Sequence, residues 1–120
     1  MKETSKYGAY MNEISKLDEN VLLIILSLKD NAYIVTIKTR LEKYLNKNIS
    51  LGTLFLSLKR LTREGYIITK IGKAASKQGG RAKKYYRLTC SGVMKLKEIR
   101  RLHTLMWKNF DNLAEEVLES

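Results

Sequence analysis

The 120-residue sequence contains no proline, a single cysteine and a single histidine. Helices can therefore run without proline breaks, and one cysteine excludes an internal disulfide framework. The longest apolar run, Val21 to Leu26, is far too short to cross a bilayer. Because the first residues also lack the apolar stretch of a signal peptide, we expect a cytoplasmic protein with no membrane segment.

Groups that could carry out catalysis are equally scarce. One histidine and one cysteine do not supply a nucleophile, a base and an orienting group, and no glycine-rich phosphate loop precedes a helix. His103 has no second metal-binding residue near it in the sequence. We therefore expect a protein that is not an enzyme and that binds neither a cofactor nor a metal.

Positive charge, in contrast, is abundant and strongly segregated. The net charge is +11, and residues 33–97 carry 16 Lys or Arg against only Glu42 and Glu64, a local net charge of +14. The two flanks together have a net charge of −3. Charged faces are usually only solvated, but such faces mix both signs. Segregation of one sign favours a binding face for an anionic partner, either nucleic acid or a membrane surface.

Apolar spacing and turn residues predict one order of elements along the chain: helix, helix, helix, strand, strand, helix. This is the order of a winged helix-turn-helix, a mainly α fold with a small β-hairpin. The predicted elements are helices over 19–29, 33–45 and 51–64, strands over 66–71 and 83–88, and a last helix over 90–118.

Four residues are predicted to begin or end helices. Asp18, Ser50 and Thr89 are suited to N-caps, and Gly65 is suited to a helix C-terminus. The last helix would be about 40 Å long, more than one small domain can cover, so self-association is expected. The predicted regions are an N-terminal helical arm (1–16), a winged helix-turn-helix DNA-binding domain (17–89) and a C-terminal dimerisation helix (90–120).

The helix over 51–64 is the predicted recognition helix. On a helical wheel, Leu51, Leu54, Leu58 and Leu61 form an apolar stripe opposite a polar face. Basic and hydroxyl side chains reach base edges and phosphates, and a helix N-terminus attracts phosphate. Leu56 could touch a thymine methyl group or simply be a surface leucine, and both alternatives stay open. The predicted DNA contacts here are Ser50, Thr53, Leu56, Ser57, Lys59, Arg60 and Arg63.

The loop and hairpin that follow are rich in basic residues and glycine. A basic hairpin beside a recognition helix can run along phosphates or place Arg81 in the minor groove. The alternative is a solvated loop without a partner. The predicted contacts of this wing are Lys73, Lys77, Gly80, Arg81, Lys83 and Lys84.

Two segments resemble a known family. Ser50-Leu-Gly-Thr-Leu-Phe-Leu-Ser-Leu-Lys-Arg-Leu-Thr-Arg-Glu-Gly-Tyr-Ile is similar to "S-x-G-T-L-Y-P-x-L-x-R-L-E-x-x-G-L-I", and Gly79-Gly-Arg-Ala-Lys-Lys-Tyr-Tyr-Arg-Leu-Thr-Cys-Ser-Gly92 is similar to "G-G-R-x-R-K-Y-Y-x-L-T-x-x-G". Both patterns are typical of the PadR-like transcriptional regulators, and the resemblance covers residues 17–110. It implies a homodimeric winged-helix repressor that binds a palindromic operator, with the last helix in the dimer interface.

The resemblance carries over residue by residue, with two departures. Phe55-Leu56 stands where the family usually has Tyr-Pro, which removes a hydroxyl group that could reach phosphate. The family's "Y-G-Y-E" is matched only loosely by residues 32–35, so base preference cannot be copied from relatives. The residues that match the two motifs are Thr53, Arg60, Gly65, Gly80, Arg81, Lys83, Lys84, Tyr85 and Tyr86, and Phe55 occupies the position of the family's tyrosine.

Apolar residues recur along the last helix at spacings of three and four. They predict a dimer interface made of Val93, Leu96, Ile99, His103, Met106, Phe110, Leu113 and Val117. Some drug-responsive PadR-like proteins stack planar ligands on an aromatic residue of this helix, and the resemblance places His103 there, with Trp107 one turn later. Packing within the dimer is the favoured interpretation of these two residues. At Cys90, a small residue in a variable position is favoured over a redox switch.

The sequence thus predicts a sequence-specific, double-stranded DNA-binding regulator. The resemblance makes it a homodimeric repressor, with a small planar molecule as a candidate effector. One alternative is a basic RNA-binding or architectural module without sequence preference. In that case the +14 segment binds nucleic acid but does not read bases. A second alternative is a protein-interaction adaptor whose affinity for DNA is negligible at physiological salt.

Overall fold

The computed structural model describes residues 14–72 and 82–120, and within them it has the predicted order of elements. The fold is mainly helical with one two-stranded antiparallel hairpin, as the sequence predicts. The elements are α1 (Lys16–Leu28), a short 3-10 turn (Lys29–Asn31), α2 (Ile34–Leu45), α3 (Leu51–Arg63), β1 (Ile67–Ile71), β2 (Lys84–Leu88), α4 (Cys90–Met106) and α5 (Phe110–Glu119).

Three of the four predicted helix ends are confirmed. Ser50 Oγ accepts a hydrogen bond from the Thr53 N–H at the start of α3, and Thr89 Oγ1 caps α4 in the same way. Gly65 has a φ of 82°, a left-handed conformation that glycine adopts without strain. The prediction for Asp18 is wrong, because Ser15 caps α1 and Asp18 lies inside the helix.

The core forms around α1, which packs against α2, α3, α4 and the hairpin. One face of α1 is fully buried, and it meets the apolar faces of the two helices that follow. Each such side chain contributes about 1.5–3 kcal/mol when removed from water, so this burial is the main stabilising term. The buried side chains with the largest volumes are Val21, Leu22, Ile25, Ile37, Leu41, Leu54, Leu58, Leu61 and Ile67.

The apolar stripe predicted for α3 is partly wrong. Leu51 is half exposed, and the buried positions are Leu54, Ser57, Leu58 and Leu61. These four follow the spacing i, i+3, i+4 and i+7 that places residues on one helix face. The first turn of α3 therefore extends past the core, where its N-terminus is open to solvent.

The hairpin is tied to the start of α2. Ile67 pairs with Leu88 at its base, and the Tyr86 N–H donates to the carbonyl oxygen of Ala32 at 2.8 Å. Tyr33 forms a β-bridge with Tyr85, and their rings meet edge to face with centroids 5.4 Å apart. These contacts place the strands of the wing beside the start of α2.

The last helix is broken in two, which corrects the prediction of one helix over 90–118. The Trp107 N–H still bonds to His103, but Asn109 then adopts a φ of 68°, and α5 starts at Phe110. Asparagine tolerates this left-handed conformation better than most residues, so it ends a helix as glycine does. By the helical rise, α4 alone is about 25 Å long instead of 40 Å.

The predicted N-terminal arm, residues 1–16, lies almost entirely outside the described residues. Only its end is described, where Lys16 begins α1.

Candidate nucleic-acid interface

The exposed face of α3 is the centre of the candidate interface. Thr53, Lys59 and Arg63 are exposed, and Leu56 lies among them with 58% of its surface accessible. Phe55, which occupies the family's tyrosine position, is 53% exposed. The structure thus brings together two basic groups, a hydroxyl group and two apolar side chains on one solvent-facing surface.

The start of α3 provides hydrogen-bond donors beside this face. Ser50 Oγ accepts the Thr53 N–H at 3.1 Å and donates its own proton to Thr53 Oγ1 at 2.8 Å. The Thr53 hydroxyl proton is thereby left to donate to another acceptor. The first N–H groups of a helix have no partner within it and carry partial positive charge. This end of α3 has the chemistry of a phosphate contact.

Ser57 does not lie where the sequence places it, and Arg60, which stays partly exposed, is bound to the same partner. Ser57 is 0% exposed, which overturns its predicted position on the open face, and its Oγ donates to Asp18 Oδ1 at 2.6 Å. Arg60 Nε donates to Asp18 Oδ2 at 3.0 Å, and its Nη2 donates to Oδ1 at 2.8 Å. Both residues turn toward α1, because Asp18 presents a carboxylate beneath α3. A wheel drawn for α3 alone contains no information about that carboxylate.

The protonation of this cluster favours the ion pair. Burial alone raises the pKa of Asp18, but the hydrogen bonds from Arg60 and Ser57 and the charge of Arg60 outweigh it and hold that pKa below 3.8. The hydrogen bonds with Asp18 also raise the pKa of Arg60. Asp18 is 4% exposed, and both of its oxygens accept hydrogen bonds from α3. Because its pKa is lowered, this buried carboxylate is charged.

Glu42, one of the two acids in the basic segment, holds the turn between α2 and α3. Its Oε2 accepts the Ile49 N–H at 2.8 Å and the Lys38 ammonium group at 2.9 Å. The hydrogen bond from Ile49, followed by that from Lys38, lowers the pKa of Glu42. The helical pattern gives Glu42 no role, although the presence of only two acids among 16 bases is a signal that one of them has a structural function. Glu64, the other acid, is exposed, and its Oε2 lies 3.9 Å from Arg63 Nε.

The wing is described only at its base. Lys83 and Lys84 are exposed at the start of β2, and Lys83 Nζ lies 4.4 Å from the centroid of the Tyr33 ring. That distance allows a cation–π contact, which directs the ammonium group of Lys83 toward the start of α2. The predicted contacts outside the described residues are Lys73, Lys77, Gly80 and Arg81.

The predicted dimer residues fall into two groups. Val93, Leu96 and Ile99 are partly buried and line a groove of about 370 Å³ between α4 and α1, together with His103. The other residues are exposed and lie at the end of α4 and along α5: Met106, Phe110, Leu113 and Val117.

Three aromatic rings meet at the junction of α4 and α5. His103 stacks on Trp107 with ring centroids 5.3 Å apart, and Trp107 lies 4.8 Å from Phe110. All three are exposed, so the candidate ligand residues His103 and Trp107 are accessible in the single chain. Cys90, at the first position of α4, is exposed as well.

Two further observations concern residues 14–72 and 82–120. None of their helices is long and apolar enough to span a membrane. In the same residues, no three His, Cys, Asp or Glu side chains cluster in a way that could hold a metal ion.

The chain matches known proteins in family and in fold. The model of the transcriptional regulator PadR-like family matches residues 22–98. A PadR-like transcriptional regulator from Bacillus cereus is 27% identical, with a TM-score of 0.62 over 87% of this chain and 92% of the other. A PadR family transcription regulator from Clostridium difficile is 26% identical, with a TM-score of 0.56 over 83% and 97%.

A PadR-like transcription factor from Bacteroides fragilis shares the fold at 21% identity, with a TM-score of 0.65 over 93% of this chain and 98% of the other. None of the curated proteins matches the sequence.

Proposed function

Since the chain belongs to the PadR-like family of transcriptional regulators, we propose that it represses transcription as a homodimer bound to a palindromic operator. Members of this family are DNA-binding regulators and not enzymes, in agreement with the expectation from the sequence.

The observation that carries the proposal is the exposed face of α3. Its contact residues, Thr53, Leu56, Lys59 and Arg63, stand on a helix whose other side is fixed in the core by Leu54, Leu58 and Leu61. A rigid helix with exposed basic side chains suits the major groove, which is wide enough to admit it. Ser50 at the start of α3 and the lysines at the base of the wing would supply donors to phosphate.

The exposed apolar surface of α4 and α5 supports the homodimer. Leu113 and Val117 on α5 are exposed and lie one helical turn apart. Side chains this apolar, spread over ten residues, are typical of a surface that another subunit covers. In a symmetric dimer, two α3 helices would lie about 34 Å apart, which corresponds to one turn of DNA.

Charge complementarity supports one arrangement of that dimer. Helix α5 contains Asp111, Glu115, Glu116 and Glu119 and no basic residue. The groove between α1 and α4 is lined by the apolar side chains of Leu23 and Leu26. Its charged lining residues are three bases, Lys16, Lys97 and Arg100, and one acid, Glu19, which pairs with Lys16, so the groove keeps a net positive charge. An acidic helix with an apolar face fits a basic groove with an apolar floor, so we propose that α5 of one subunit lies in this groove of the other.

The candidate effector site is the aromatic group at the junction of α4 and α5. A planar aromatic molecule would stack on Trp107, with His103 and Phe110 beside it. Titration of such a compound with Trp107 fluorescence as the signal tests this part separately. Quenching that saturates in the wild type and is absent in His103→Ala supports the site. If these rings only pack the dimer interface, the added compound should give no saturable quenching of Trp107 fluorescence.

The alternative function is a basic module that binds RNA or DNA without sequence preference. Competition between the promoter region of the protein's own gene and random duplex of equal length decides between the two, at physiological salt. Preference for the promoter by at least about 1,000-fold supports the repressor, since specific binding exceeds non-specific binding by that margin or more. Equal affinity contradicts it. Footprinting then locates two half-sites, and a single isolated half-site would contradict the dimer.

A further inference from the structure

The cluster of Asp18, Ser57 and Arg60 joins α1 to the recognition helix through one carboxylate. Three donors from α3 reach this carboxylate, and both of its oxygens accept hydrogen bonds. Ser57 and Arg60 are three residues apart, so the three donors come from a single turn of α3. On α3 the cluster borders the exposed face, because at about 100° per residue Ser57 and Arg60 stand on either side of Thr53.

We propose that Arg60 is a positioning residue of DNA recognition and does not read bases. Paired with Asp18 and assisted by Ser57, it fixes the rotation of α3 about its own axis. This inference rests on the proposed function, because it states how the DNA-reading face of α3 is held in register.

The reason lies in the difference between apolar contacts and hydrogen bonds. Leu54, Leu58 and Leu61 determine which face of α3 is buried, but apolar contacts are non-directional and define the rotation of the helix less sharply than hydrogen bonds do. Hydrogen bonds weaken steeply when their geometry is lost. Rotation of α3 by about 20° would move a side-chain end by about 2 Å, enough to break all three bonds to Asp18.

The geometry of Arg60 also argues against base readout. Its Nε and Nη2 face a carboxylate that is 4% exposed, while Arg60 itself keeps 41% of its side chain accessible. A guanidinium group that contacts guanine needs two parallel donors directed into the groove. Here Nε and Nη2 are already engaged with the carboxylate of Asp18, so only the outer edge of the guanidinium group, with Nη1, is left to reach a base. The alternative role for Arg60 is base readout, in which the remaining edge of its guanidinium group contacts a guanine and Asp18 holds the group in place.

A first test requires no DNA. In the full-length protein, the Arg60 Nε–H signal in a ¹H–¹⁵N spectrum should exchange slowly with solvent, and Asp18→Asn should abolish this protection. Fast exchange in the wild type would show that the pair does not form in solution and would overturn the proposal. This result is independent of whether the protein represses anything.

The second test measures base preference. Wild type, Asp18→Asn, Arg60→Gln and the double variant are titrated with the operator, with random duplex and with operators that each carry one changed base pair. All measurements are made well below the unfolding temperature of each variant. If the wild type does not distinguish operator from random duplex, the proposed function fails while the first test still decides on the pair.

Positioning predicts the same result for both single variants. Each should weaken operator binding on the order of tenfold and lower discrimination at several base pairs together, because the whole face of α3 shifts. The double variant should be no weaker than the worse single variant, since both remove one interaction.

Two results would overturn the proposal. One is loss of preference at a single base pair in Arg60→Gln that Asp18→Asn does not share, which indicates base readout. The other is a lower unfolding temperature with unchanged affinity and discrimination, which indicates a role in stability alone. If Asp18→Asn does not fold, Ser57→Ala and Arg60→Lys, which keep the buried carboxylate, replace it in the same comparison.

Discussion

The hydroxyl group of Thr89 donates a hydrogen bond of 2.6 Å to the carbonyl oxygen of Gly65. Thr89 Oγ1 also caps α4, and the Thr89 N–H donates to the carbonyl oxygen of Tyr66 at 3.0 Å. The end of α3 and the start of α4 are therefore joined at the base of the hairpin. Since α4 extends away from this point, its direction is fixed relative to the recognition helix. In the proposed dimer, this junction sets the distance between the two α3 helices.

Gly92 should be the least replaceable glycine of the described residues. A Cβ at this position would overlap with the carbonyl oxygen of Tyr66 and press on Leu88. Gly92→Ala gains up to about 1 kcal/mol from helix propensity, but the overlap with backbone costs more. We expect a net loss of about 1–3 kcal/mol in the free energy of unfolding, measured by urea titration.

Gly52→Ala is the matched control. A Cβ at Gly52 meets nothing within 4 Å, and this glycine also lies in the first turn of a helix. We expect a gain of up to about 1 kcal/mol. Equal losses in both variants would show that the contact with Tyr66 does not decide the effect.

Acid should destabilise the protein through Asp18. The pKa of Asp18 lies below its ordinary value of 3.8. Burial raises this pKa, but the hydrogen bonds from Arg60 and Ser57 lower it by more than burial raises it. A carboxyl group with a lowered folded-state pKa contributes stability that is fully present above pH 3.8 and is lost as pH falls through the folded-state pKa. We expect the free energy of unfolding to drop in that window.

Asp18→Asn tests this assignment. At pH 7 it should cost about 1–3 kcal/mol, a range reduced because Arg60 is partly solvated. Below pH 3.8 its stability should approach that of the wild type, because the neutral side chain loses nothing on acidification. If the variant and the wild type lose the same amount with acid, another carboxyl group is responsible.

Lys59 and Arg63 should carry the base preference, because Arg60, which the sequence also predicts as a DNA contact, is paired with Asp18. Arg63→Ala should lower discrimination between operator and random duplex by at least about tenfold, the typical cost of one base contact. Lys77→Ala, in the wing, should instead weaken all duplexes alike and flatten the salt dependence by about one unit.

The control for both variants is Arg101→Ala, which removes one charge from an exposed position on α4. It should leave base preference unchanged. If Lys77→Ala changed base preference while Arg63→Ala did not, the roles of recognition helix and wing would be reversed.

Leu113→Glu should produce monomers. Leu113 lies on the exposed apolar face of α5, where a buried charge in the dimer would be unpaired. Sedimentation should show half the mass of the wild type, and operator affinity should fall because two half-sites are no longer bound together. Asn112→Glu adds the same charge on another face of α5 and should remain dimeric. Monomeric wild type would contradict the proposal directly.

The fold was predictable because its signals are local. Ser50 and Thr89 are good N-caps, Gly65 follows a helix, and β-branched and aromatic residues mark the two strands of the wing. Each element could therefore be located from its own sequence. The break at Asn109 was missed because apolar residues continue at helical spacing through residues 106–113 and neither proline nor glycine interrupts them.

The site was only partly predictable, because two of its residues depend on a distant one. Thr53, Lys59 and Arg63 are exposed as their spacing predicts. Ser57 and Arg60 turn inward only because Asp18, about forty positions away in the sequence, lies beneath them. A pattern within one helix contains no such partner.

The break at Asn109 also makes α5 a separate segment of ten residues. Isolated helices of that length are marginal in water, and its exposed apolar face gains nothing from its own domain. We therefore expect α5 to be ordered only while another surface covers it, so that subunit association includes a coil-to-helix transition. Helix content would then rise with protein concentration, and dilution would expose a C-terminus that proteases cleave.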